Sequence, residues 1–177
     1  MLIIFSGLSG TGKTTLAKAL ARRVGAVYLR IDSIEWGLAQ SALAVERAED
    51  AGYRAAQAVA EDNLRLGHPV VADSVNPWEL TRRAWRAVAE RVGAPAVDVE
   101  VVCSDRKVHR RRVEGRRPDR PGAQVPDWAT VEARDYQPWQ RRRIIVDTAG
   151  QPVAACVDRV VTALGGAEPV SEGEASP

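Results

Sequence analysis

Eight consecutive residues, Gly7-Leu8-Ser9-Gly10-Thr11-Gly12-Lys13-Thr14, place glycines, a lysine and a hydroxyl at the spacing G-x-x-x-x-G-K-[ST]. Each residue type has a chemical reason to be there. Glycines let successive backbone N–H groups turn inward around an anion, and the positive end of a following helix faces the same point. The Lys13 ammonium would reach the β and γ phosphates of a nucleotide, and the Thr14 hydroxyl is a ligand for magnesium. Lys13 is one of three lysines in a chain with 22 arginines, a compact ammonium where a planar guanidinium would not fit. Gly7, Ser9, Gly10, Thr11, Gly12, Lys13, Thr14 and Thr15 are therefore expected to hold a nucleoside triphosphate. Replacing Lys13 by Ala is expected to stop its turnover and leave the fold intact.

Such a loop works only between a strand and a helix. The unbroken apolar run Leu2-Ile3-Ile4-Phe5 reads as a strand buried on both faces, and Lys13 to Val24 carries apolar residues every third or fourth position, as a helix does. Further strands are expected at Val27–Ile31, Val70–Ala72, Val97–Cys103 and Arg143–Asp147. Helices are expected at about Val45–Leu66, Pro77–Val92 and Pro152–Leu164. Five strands alternating with helices predict an α/β, three-layer fold: a five-stranded parallel sheet covered on both faces. In such a sheet the ligand crevice lies at the carboxyl ends of the strands, so Gly7, Asp32, Asp73 and Asp147 should converge there.

The motif specifies a triphosphate but not its fate. Asp147-Thr148-Ala149-Gly150-Gln151 has the form of a D-x-x-G switch, yet a GTPase places that switch soon after the phosphate loop and a guanine-reading N-K-x-D later, and none follows here. A mechanical ATPase module of the AAA type needs a longer chain and a second acidic residue, whereas Asp73 is followed by Ser74. A small kinase remains. Its polynucleotide 5′-hydroxyl kinase form is the alternative to a small-molecule kinase.

Three segments beyond the loop are similar to the compact kinase superfamily that includes polynucleotide 5′-kinases, chloramphenicol phosphotransferase, gluconate kinase and zeta toxins. These are Arg30-Ile31-Asp32-Ser33, then Val70 to Asn76 with Arg82 and Arg83, and the Arg112-x-x-x-Arg116 pair. The resemblance implies ATP and magnesium as cofactors and Asp32 as the base that takes the acceptor hydroxyl's proton. It implies a mobile, arginine-rich lid over about residues 105–127, with Arg112 near the adenine and Arg116 at the transferring phosphate. Asp32, Trp36, Asp73, Asn76, Arg82 and Arg120 become candidates for the acceptor, and Asp73 joins Thr14 as a candidate metal ligand. Read from spacing alone, Arg112 and Arg116 share one helical face. The loop after the last strand, Thr148 to Pro152 and including Gln151, is expected to border adenine and to favour ATP over GTP.

Composition narrows the rest. Between Arg106 and Arg143 there are twelve Lys or Arg against five Asp or Glu, a local basic patch suited to an anionic ligand. Cys103 and Cys156 sit in apolar runs and are expected to be buried thiols; with two histidines they make no zinc site. Trp36, Trp78 and Trp128 follow the candidate site segments and are expected either in an acceptor pocket or in the core. No run is long enough to cross a membrane, and no leader is visible, so a cytoplasmic monomer or homodimer is expected. Residues 1–164 are expected to form the single domain, and 165–177 a disordered acidic tail.

Overall fold

The computed structural model describes residues 1–42, 45 and 48–165. The expected tail beyond 165 and part of the segment before the long helix lie outside them. The strands are β1 (Leu2–Ser6), β2 (Val27–Arg30), β3 (Val70–Asp73), β4 (Ala96–Val102) and β5 (Ile144–Asp147), all parallel, in the spatial order β2-β3-β1-β4-β5. Around them run α1 (Lys13–Val24), α2 (Ile31–Ala39), α3 (Ala51–Arg65), α4 (Glu79–Arg91), α5 (Arg106–Glu114), α6 (Trp128–Glu132) and α7 (Val153–Gly165).

The pleat of β1 sorts its side chains into two cores. Ile3 and Phe5 join Leu16 and Leu20 of α1 and Val157 and Val160 of α7 on one face. Leu2 and Ile4 join Ala56 and Ala60 of α3 and Trp85 and Val88 of α4 on the other. The chain is thus a three-layer α/β fold, a parallel sheet between two helical layers. Parallel pairing also aligns strand ends: Phe5 stands beside Asp73, and Asp73 beside Arg30.

Several expected boundaries shift, and the long helix expected from about Val45 starts at Ala51. The second strand ends at Arg30, because α2 starts at once with Arg30 as its extended cap, φ −115°. Asp32 therefore lies in the first turn of a helix, where its charge favours the helix dipole, and not at a strand terminus. The fourth helix starts at Glu79, two residues after Pro77, with Trp78 as its cap. Finally α5 ends at Glu114, and the Arg116 N–H donates to the Val113 carbonyl in the turn beyond it. Arg112 and Arg116 do not share a helical face; the Gly115 turn separates them.

Candidate active site

The loop after β1 is shaped by close contacts. Gly7 has φ +142°, and a Cβ there would overlap the Val101 carbonyl oxygen, so only glycine lets β1 run so close to β4. Thr11 is buried with its hydroxyl donating to the Leu8 carbonyl at 2.9 Å. From α5, His109 Nε2 lies 2.8 Å from the Ser9 carbonyl oxygen, and since a carbonyl only accepts, that nitrogen carries the proton. Arg116 Nη1 donates to Ser9 Oγ at 2.8 Å. The segment after β4 is thereby tied to the loop at one residue by two side chains.

Lys13 opens α1 and is almost wholly buried. Its Nζ lies 3.0 Å from Asp73 Oδ1, and the Tyr28 hydroxyl donates to Asp73 Oδ2 at 2.7 Å. Burial alone would push the Asp73 carboxyl up, but the Lys13 ammonium and the Tyr28 and Thr14 hydroxyls outweigh it and hold it below the ordinary carboxylate range. The same burial, with the Asp73 charge beside it, pushes the Tyr28 hydroxyl far up, so it stays a donor. Both Asp73 oxygens are thus committed. Asp73 faces the loop lysine and does not reach the wall of the cavity, where it was expected beside an acceptor.

On the opposite side of the sheet's edge, Thr148 couples three segments. Its hydroxyl donates to the Thr11 carbonyl at 2.6 Å and accepts from Arg112 Nη1 at 2.7 Å, while Arg112 Nη2 donates to the Thr148 carbonyl at 3.0 Å. The residues that mimic a GTPase switch therefore brace the phosphate loop. Asp147 accepts from the Ser104 and Ala149 N–H groups, each at 3.0 Å, and shapes the backbone there.

These elements enclose a cavity of about 840 Å³. One wall is the loop and the start of α1, Leu8 to Gly10 and Gly12 to Leu16, with Arg112, Arg116, Thr148 and Gln151 beside it and Thr11 buried behind. The other is α2, whose Asp32, Glu35, Trp36 and Ala39 follow at helical spacing and so present one face. The segment between α5 and α6 covers this face. Trp36 Nε1 donates to the Pro121 carbonyl at 3.0 Å, Arg120 Nη2 donates to Ser33 Oγ at 2.9 Å, and the Arg120 guanidinium lies 5.1 Å from the Trp36 ring centre. Arg30, whose side chain is 5% exposed, donates to Asp32 at 2.8 Å and to Asp119.

Several expected residues fall elsewhere. Arg82 is buried away from the cavity; it donates to the Asn76, Pro77 and Gln137 carbonyls and stacks 4.0 Å from the centre of the Trp139 ring. It fastens the chain before β5 to the start of α4. Asn76, with φ 45°, donates from Nδ2 to the Phe5 carbonyl at 3.1 Å and shapes the turn after β3. Trp78 donates to Asp135 on the outside, and Trp128 packs edge-on against His109. Of the three tryptophans named above, Trp36 lines the cavity. Pro152 is exposed and off its wall, beside Gln151, which is on it. Arg30, Glu35, Asp119 and Tyr28 were given no role from sequence, whereas Thr148, expected to border adenine, also braces the loop through Thr11. The 3–4 spacing of Glu35 and Trp36 from Asp32 was the available signal, once α2 is taken as a helix.

A family model described as "AAA domain" matches residues 2–137. The adenylyl-sulfate kinase of Synechococcus sp. (strain JA-3-3Ab) is 29% identical over 90% of this chain and 91% of its own. That of Aeromonas hydrophila is 27% identical over 93% and 84%. Among solved structures, the Mycobacterium tuberculosis APS kinase in complex with AMPPNP and APS superposes with a TM-score of 0.69 at 20% identity, covering 93% of this chain and 96% of that one. A gluconokinase from Sinorhizobium meliloti 1021 gives 0.65 at 20% identity, over 93% and 91%. The family's name is the one that was set apart above on length and on Asp73-Ser74, whereas the relatives matching along nearly the whole chain are named as kinases. With the strand order and the loop geometry, these matches place the protein: the chain belongs to the AAA domain family and is a member of the small P-loop kinase superfamily.

Proposed function

We propose that the protein is an ATP-dependent kinase that transfers the γ-phosphate of ATP to a hydroxyl of a small molecule. The observation that carries this reading is that the phosphate loop and the Asp32 face of α2 form two walls of one cavity. A nucleotide on the first wall and an acceptor on the second would meet inside it, and phosphoryl transfer depends mainly on such positioning and on charge neutralisation.

Placement supports the following roles. Backbone N–H groups of the loop and the Lys13 ammonium hold the phosphates. Thr14, half-buried on the cavity wall, supplies the hydroxyl for magnesium, an ion that takes most of its ligands from phosphate and water. The described residues contain no cluster of three or more acidic, His or Cys side chains for a metal, and Asp73 is committed to Lys13 and Tyr28, so the fit is to a phosphate-borne ion held by Thr14. Asp32 orients the acceptor hydroxyl and takes its proton. Arg116, already at Ser9 Oγ, neutralises the transferring phosphoryl group, and Arg112 with Gln151 borders adenine. Residues 105–127 act as the lid, and Trp36 and Arg120 join it to the acceptor wall.

An acceptor-stimulated release of ADP tests the reading. ATP consumption should be slow alone, rise with hydroxyl compounds, and vanish in Lys13→Met; consumption indifferent to every acceptor would argue for a simple ATPase. No helix among the described residues is long and apolar enough to cross a membrane.

A further inference from the structure

The acceptor wall carries a charge pattern of its own. Besides the loop and its arginines, the charged side chains lining the cavity are Arg30, Asp32, Glu35, Asp119 and Arg134, three carboxylates against two guanidiniums. Arg30 is not free for a ligand, since it is buried and held between Asp32 and Asp119. The nearby Arg120 is spent on Ser33 and on the Trp36 ring. Arg134, exposed just after α6, lines the same cavity, and its charge acts on Glu35. An anionic group placed on α2 would face two carboxylates one helical turn apart, Asp32 and Glu35, with Arg134 as the guanidinium opposing them.

Glu35 is the uncommitted member. Among the described residues it has no hydrogen bond or ion pair, although it is partly buried on the cavity wall. Burial and the Asp32 charge push its carboxyl up, and Arg134 works against them. The neighbouring helix makes room for it. A Cβ on Gly52 of α3 would lie 2.5 Å from Glu35 Cγ and 2.9 Å from Oε1, so a glycine, otherwise unfavourable within a helix, leaves the notch in which Glu35 sits. A carboxylate seated by packing, short of partners and turned to an enclosed cavity is equipped to accept charge-assisted hydrogen bonds from a ligand cation.

Resting on the kinase reading, we infer that Glu35 selects the acceptor and that the acceptor is a hydroxyl compound bearing a protonated amine, an amino sugar or aminocyclitol in class, rather than an anion. The acceptor hydroxyl would face Asp32, and the ammonium would face Glu35 one turn along α2. This departs from the acceptor in the names of the sequence relatives, adenylyl sulfate, which is anionic.

The test is transfer from labelled ATP to a charge-graded set of hydroxyl compounds: glucosamine and 2-deoxystreptamine, glucose and myo-inositol, and gluconate and adenylyl sulfate. The best acceptor should be cationic. Glu35→Gln should lower kcat/KM for it by about 10- to 100-fold, mostly through KM, as loss of a charge-assisted bond does. Glu35→Asp should recover part of the loss, and Glu35→Lys should invert the ranking of glucosamine and gluconate. Affinity for a non-hydrolysable ATP analogue, measured on each variant, reports whether it is folded. A best acceptor that is neutral or anionic, or no transfer to any cationic member, overturns the assignment. Failure of the wild type to bind the ATP analogue would instead strike the kinase reading beneath it.

Discussion

The ammonium of Lys13, at the start of α1, and the carboxylate of Asp73, at the end of β3, lie 3.0 Å apart, with side chains 10% and 1% exposed. The lysine that serves the phosphates is thus also one half of a buried ion pair. This corrects the expectation that Lys13 packs against little and can be removed without structural cost.

Lys13→Met should therefore do two things. It should stop ATP turnover, and it should destabilise the fold by roughly 3 kcal/mol, because it strands a buried carboxylate. Asp73→Asn should cost less, since the stranded ammonium lies beside a cavity that water can fill. Thermal unfolding of both variants checks this, with a fall of about 6–12 °C for Lys13→Met. Equal melting temperatures for wild type and Lys13→Met would contradict the pair's role.

The pair also sets a pH dependence. The Asp73 carboxyl is held below its unfolded value, which is about 3.9. Its contribution is present above that value and is lost as pH falls through the lower folded one. Denaturant unfolding should show no loss from this source between pH 7 and 5, and a steep loss below about pH 4 that is smaller in Asp73→Asn. Identical acid limbs for the two proteins would count against it.

Asp32 and Arg116 should fail differently. Asp32→Asn should keep ATP affinity, since the loop is untouched, and lose transfer by roughly 10²–10⁴-fold as a missing general base does. Arg116→Ala should lower transfer and acceptor-free hydrolysis together, because the charge it places by Ser9 serves the phosphoryl group in both. Parallel measurement of ADP release and acceptor phosphorylation separates the two. Loss of ATP and magnesium binding in Asp32→Asn would make that residue a metal-site carboxylate.

Much of this was legible in the sequence because it depends on local pattern. The run Leu2–Phe5, the glycines from Gly7 to Gly12 and the periodicity of Lys13–Val24 each act over a few residues, and together they fix the sheet's first crossover and the phosphate wall. The acceptor wall was less legible. Helix α2 begins at Ile31, directly after the last residue of β2, so the strand-like Val27–Ile31 run hid the helix start. Asp32 was found as a candidate, but Glu35, whose seat depends on Gly52 in another helix, was not. Arg82 illustrates the opposite error: a basic residue near a site segment was read as a ligand group, whereas the nearby Asn76 carbonyl, the distant Gln137 carbonyl and the rings of Tyr136 and Trp139 surround it. Side-chain partners that are about 55 or more positions apart leave no local signal.

The most direct measurement follows the phosphorus. Wild-type protein, ATP, magnesium and the best hydroxyl acceptor are mixed, and the products are resolved by phosphorus NMR. The account predicts that the γ-phosphorus of ATP appears as a phosphomonoester of the acceptor, in step with ADP, and that Asp32→Asn suppresses that signal. Appearance of the γ-phosphorus as inorganic phosphate alone, at the same rate with and without acceptor, would contradict it.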